Sequence, residues 1–98
     1  MGLEQVSLSR RNPRRDGNEP ALVKLLEQLG ASWRPLSAKG APDGLVGWQF
    51  RTYLVEIKQP NGKLTADQKR WAEGWRGGAV HILRTAEDVY RLLHVKPQ

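Results

Sequence analysis

At 98 residues, with no cysteine and only two histidines, the chain fits one small domain without disulfides or thiolate metal sites, and a zinc site is not expected. Sixteen Lys and Arg against ten Asp and Glu leave a net charge of +6, which points to a polyanionic partner, nucleic acid being the default. No run of eighteen apolar residues exists and the N-terminus lacks an apolar h-region, so no membrane-spanning helix or secretory signal is read and a cytoplasmic protein is expected.

Residues 1–17 have no sustained apolar period and hold Arg10, Arg11, Arg14 and Arg15. They read as a flexible basic arm that lies along phosphates without reading bases. A single domain, 18–98, follows. Asn18 is a good helix N-cap, and Pro20 is tolerated in the first turn. Leu22, Leu25, Leu26 and Leu29 recur at i, i+3, i+4, i+7 and predict a helix with one buried face, stopped by Gly30. Glu19 lies at the margin of that stripe, where the helix dipole favours an acid in any case.

Ala31 to Leu36 predicts a short strand, and Ser37 to Ala41 a polar loop. Pro42-Asp43-Gly44 is a turn signal that leads into a strand ending at Trp48. Gln49 to Thr52 reverses the chain into the strand Tyr53 to Lys58, and Gln59 to Lys63 is a loop. Thr65 and Gln68 form a capping-box pattern opening a helix with Gln68, Trp71 and Trp75 on one face; Gly77-Gly78 ends it. Ala79 to Arg84 is the last strand, and Thr85 with Asp88 caps a helix through Val89, Leu92 and Leu93. Trp48 and Phe50, near the hairpin tip, are candidates for exposed aromatic contacts with DNA or a second subunit. Trp71 and Trp75 read as core or subunit contacts, His81 as structural and His94 as a solvated end.

The order helix-strand-strand-strand-helix-strand, with a C-terminal helix, predicts an α/β fold. Three strands form a meander, and a fourth follows a helical crossover, giving a mixed sheet of about four strands.

The strand Tyr53 to Lys58 carries the chemistry. Tyr53, Val55 and Ile57 share one face, the expected core face, while Leu54, Glu56 and Lys58 share the other. Alone, Glu56 and Lys58 read as a solvated ion pair on a half-exposed strand. If the reversal is centred between Gln49 and Phe50, residues whose numbers sum to 99 face one another, and Asp43 falls opposite Glu56. Two carboxylates that close repel unless a proton or cation sits between them. Mg²⁺, which binds through one or two carboxylates and several waters, resolves the repulsion. Lys58 would then face a metal-bound water or a substrate phosphate. Carboxylate pair, divalent cation, lysine and basic surface together describe phosphodiester hydrolysis.

Pro42-Asp43 followed by Glu56-Ile57-Lys58 resembles the PD-(D/E)XK nuclease signature. The longer strings Lys39 to Asp43 and Tyr53 to Gln68 resemble the VRR-NUC branch, whose stand-alone members are small phage and bacterial proteins. The likeness runs from about Asn18 to Leu93. It implies a restriction-endonuclease-like core and an Mg²⁺- or Mn²⁺-dependent DNA endonuclease, homodimeric and selective for branched DNA, working in a bacterial cell or phage-infected host. Residue by residue it implies metal ligation by Asp43, Glu56, the Ile57 carbonyl and Glu19, catalysis by Lys58, and a place for Gln68 near the site. Lys39, Lys63 and Lys69 are expected to meet phosphates. The rival expectations are a non-catalytic basic nucleic-acid-binding module and an accessory subunit of a replication or repair complex.

Overall fold

The structure, a computed structural model, describes residues 17–97. The arginines assigned to the basic arm, Arg10, Arg11, Arg14 and Arg15, lie outside the described residues. The chain runs α1 (Glu19–Gln28), β1 (Ser32–Pro35), β2 (Gly44–Trp48), β3 (Arg51–Ile57), α2 (Ala66–Gly74), β4 (Val80–Leu83), α3 (Ala86–Leu93), the element order that the sequence predicts. It is a small α/β domain with a mixed, open four-stranded sheet in the order β1-β2-β3-β4. The first two pairings are antiparallel and β3–β4 is parallel, the geometry that a helical crossover through α2 imposes.

The β2–β3 register runs from Gly44↔Val55 to Trp48↔Arg51, so paired residue numbers sum to 99 as expected. The reversal is tighter than the predicted Gln49 to Thr52. Only Gln49 and Phe50 turn the chain, with φ of 47° and 64°, and β3 begins at Arg51 and ends at Ile57. Paired positive φ values match the right-handed twist of the flanking strands, which lets the ladder run to the turn itself. Neither residue is the Asn or Gly that adopts this backbone readily, and each carries a cost of about 1–3 kcal/mol.

One sheet face bears Trp33, Val46, Val55, Ile57 and Leu83, buried against Leu22 and Leu26 of α1 and Val89, Leu92 and Leu93 of α3. Each such side chain removed from water contributes about 1.5–3 kcal/mol. Leu25 and Leu29 flank this core half-buried. Gly44 makes room for it: a Cβ there would lie 2.6 Å from both the Trp33 ring and the Arg34 carbonyl oxygen. Trp48 also belongs here rather than to an exposed tip. It is half-buried against the core, and its indole N–H donates to the Leu93 carbonyl at 3.1 Å. α3 is closed at its start by reciprocal hydrogen bonds between Thr85 and Asp88, as expected.

The other face carries the cross-strand rows Leu45–Leu54–Val80 and Glu56–Ile82. α2 lies over it without a fully buried residue of its own. The helix ends at Gly74, ahead of the predicted Gly77-Gly78 stop, because Trp75 turns to extended backbone. Trp71 and Trp75 are not a core pair. Their rings stack on each other with centroids 4.9 Å apart, and Trp75 stays 47% exposed. His81 meets Tyr53 edge-on at 5.3 Å in a structural contact, and His94 is an exposed C-cap. Among the described residues no helix is long and apolar enough to cross a membrane.

Candidate active site

The site begins where β2 starts. The Asp43 carbonyl accepts from the Leu36 N–H at 2.8 Å, continuing the ladder toward β1. On its other side Asp43 pairs through its side chain, as Oδ2 accepts from the Ile57 N–H at 2.7 Å. A carboxylate oxygen thus stands where a strand would offer a main-chain carbonyl. That substitution fixes the Asp43 rotamer and brings its charge beside Glu56, the residue that register places opposite.

Glu56 overturns the expectation of a half-exposed strand. It is 2% exposed, a buried acid within the last turn of sheet that α2 covers. Burial pushes its carboxyl up from 4.5 to about 7, and the negative charge of Asp43 adds to the rise. Lys58 opposes the shift without cancelling it: its Nζ lies 3.6 Å from Glu56 Oε2, and its side chain is 13% exposed. The pair is therefore not a solvated surface bridge. The ammonium is held in place, and the two carboxylates carry more negative charge than it neutralises.

Gln68 serves both roles that the sequence suggests for it. Its Oε1 accepts from the Thr65 N–H at 2.8 Å while the Gln68 N–H donates to Thr65 Oγ1 at 3.2 Å, completing the capping box. Its Nε2 donates to Glu56 Oε2 at 2.9 Å. The cap fixes the amide, and the amide fixes the acid. Because the two functions use different atoms of one side chain, neither excludes the other.

Asn18 plays a part that sequence reasoning missed. It does not cap α1 with its side chain. Its Nδ2 instead donates to the Lys58 carbonyl at 2.9 Å and the Arg84 carbonyl at 3.0 Å, tying the start of α1 to the ends of β3 and β4. Lys58 is thus held at both main-chain groups, since its N–H donates to the Leu83 carbonyl at 3.0 Å. No local signal marks such a role, because its acceptors lie 40 and 66 residues away in the chain. The Asn18 Oδ1 atom is buried and meets no hydrogen-bond partner among the described residues.

The arrangement brings Asp43, Glu56, Lys58 and Gln68 together. Glu19 stands at the first position of α1, beside Asn18. Among the described residues no three His, Asp or Glu side chains converge as metal ligands, so Glu19 does not form an acidic cluster with Asp43 and Glu56. Lys39, Lys63 and Lys69 are exposed around the start of α2, and Lys39 lies 3.9 Å from Asp67. Two adjacent carboxylates, one buried and protonated more readily than usual, form a donor set that fits a hard divalent cation. The Ile57 N–H that Asp43 accepts sits on the β2 side of β3, and the Ile57 carbonyl leaves the strand on that same edge. No protein-family model matches the chain, and neither does any curated protein.

Proposed function

We propose that this protein is an Mg²⁺- or Mn²⁺-dependent DNA endonuclease with a restriction-endonuclease-like core. The observation that carries the reading is the buried Glu56, raised to about 7 beside Asp43, with the Lys58 ammonium fixed 3.6 Å away. A structural ion pair does not need a second carboxylate that opposes it. A phosphodiesterase does, because paired acids hold a cation and a neighbouring lysine acts on water and phosphate. Asp43, Glu56 and the Ile57 carbonyl would hold the metal. Bound there, a divalent cation lowers the pKa of water and offsets charge on the phosphate.

The chain's own residues do the rest. Gln68 holds the Glu56 carboxylate in one orientation. Lys58 orients the attacking water and stabilises negative charge as it grows on the phosphoryl oxygens. The water oxygen forms a new bond to phosphorus, one ester P–O bond breaks, and the products are a terminal phosphate and a hydroxyl. The net charge of +6 favours the polyanionic substrate. Selectivity for branched DNA and action as a homodimer follow from the likeness to stand-alone VRR-NUC proteins.

The test is direct. Purified protein is incubated with linear duplex, single-stranded and four-way-junction DNA in Mg²⁺, Mn²⁺ or EDTA, beside Asp43→Ala, Glu56→Ala and Lys58→Ala. Cleavage in either metal, absent in EDTA and in the three variants, supports the proposal. Binding without cleavage points to a non-catalytic nucleic-acid module, and variants that cut as fast as wild type remove these residues from the chemistry.

A further inference from the structure

The β2–β3 hairpin ends on an aromatic ring that no described residue covers. Phe50 is fully exposed, at 111% of its reference area, on a backbone with φ of 64°. An apolar residue at that position gains no burial, and Asn or Gly would hold the turn with less strain. The ring is presented rather than packed. The tip is also held firmly: Trp48, two residues earlier, is pinned to the Leu93 carbonyl. That bond ties the end of α3 to the base of the hairpin, with exposed His94 next in the chain after Leu93, and exposed Arg51 follows Phe50 directly.

An exposed ring followed directly by an exposed arginine, on a protein of net charge +6, suits a nucleic acid base better than an apolar partner. We propose that Phe50 is a wedge that stacks on an unstacked base, with Arg51 and His94 meeting the flanking phosphates. The proposal rests on the nucleic-acid substrate inferred above and adds where that substrate is gripped. Glu56 lies six residue steps along the chain from Phe50, a span of about 20 Å at about 3.3 Å per residue. Along one strand this corresponds to about six nucleotides from the phosphate that is cut.

The test uses the full chain with Ca²⁺ in place of Mg²⁺, so that binding is read without cleavage. Phe50→Asn suits the turn backbone, and Phe50→Trp keeps the ring. The probe is a synthetic four-way junction carrying 2-aminopurine, walked outward from the crossover. Phe50→Asn should bind about 5- to 150-fold more weakly, the range that one stacked base supplies, and its thermal stability should be no lower. Wild type and Phe50→Trp should change 2-aminopurine fluorescence at one position, and Phe50→Asn should not. Equal junction affinity and equal fluorescence for Phe50→Asn and wild type overturn the wedge while leaving the nuclease assay untouched. Wild type that binds without ever cutting overturns the nuclease reading but still scores the wedge. Phe50→Asn that lowers the particle mass with unchanged fluorescence assigns the tip to a second copy of the chain and overturns the proposal.

Discussion

Replacing Glu56 by Gln removes a charge that the folded protein carries at a cost. In the folded chain the Glu56 carboxyl titrates near 7, against 4.5 when exposed. Between those pH values the folded state holds a proton that the unfolded state has lost, so stability falls as pH rises through this window. At about 1.36 kcal/mol per pKa unit, the metal-free protein loses about 3 kcal/mol from Glu56 between pH 4 and pH 8. Gln has nearly the same shape, and its amide oxygen can accept the Gln68 Nε2 hydrogen bond that Glu56 now accepts at 2.9 Å. Glu56→Gln should therefore be flat across the window where wild type declines, and more stable at pH 8. Urea denaturation in EDTA from pH 4 to pH 9 reads both curves, and in a domain this size each kcal/mol moves Tm by about 4–8 °C. Adding Mn²⁺ at pH 8 should recover wild type and leave Glu56→Gln unmoved. Parallel curves for the two proteins would refute the reasoning, because they would mean that Glu56 is either solvated or fully neutralised by Lys58.

Two further outcomes follow from the packing. Asp88 is pushed up by burial, but N–H bonds from Arg84 at 2.7 Å and Thr85 at 3.2 Å, together with Arg91, outweigh this and lower its pKa. Asp88→Ala should cost about 1–2 kcal/mol at pH 7 and converge on wild type as pH falls below the ordinary carboxylate range, read by thermal melts at pH 7 and pH 3. Gly44→Ala places a Cβ 2.6 Å from the Trp33 ring and the Arg34 carbonyl, so it should destabilise by about 1–3 kcal/mol in urea. By moving the start of β2 it should also displace Asp43 and slow cleavage, and an Ala variant as stable as wild type contradicts the assigned packing.

Much of this arrangement was legible before the structure. The hairpin register follows from one assumption about where the chain turns, and the pairing of Gly44 with Val55 bears it out. Capping boxes at Thr65 and Thr85 are local patterns and form as read. What could not be read depends on distant neighbours. The spacing of Glu56 and Lys58 is the same whether the strand is solvated or covered, and the acid is buried by distant neighbours: Gly40, Pro42 and Leu64 of the loops and Gln68, Trp71 and Ala72 of α2. Asn18 looked like a cap because capping is the usual use of Asn at a helix start, yet its amide found two carbonyls at the far ends of β3 and β4. The tightness of the Gln49–Phe50 turn was hidden because neither residue favours positive φ.

The central claim, that Glu56 belongs to a metal-dependent phosphodiesterase, is tested most directly by the rate at which wild type and Glu56→Gln cut a four-way junction in Mn²⁺. Since the variant should keep at pH 8 the stability that metal-free wild type loses, lost activity cannot be ascribed to misfolding. Cleavage by wild type that falls more than about a hundredfold in Glu56→Gln is the result expected. Equal rates, or no cleavage by wild type on any DNA in either metal, would contradict it.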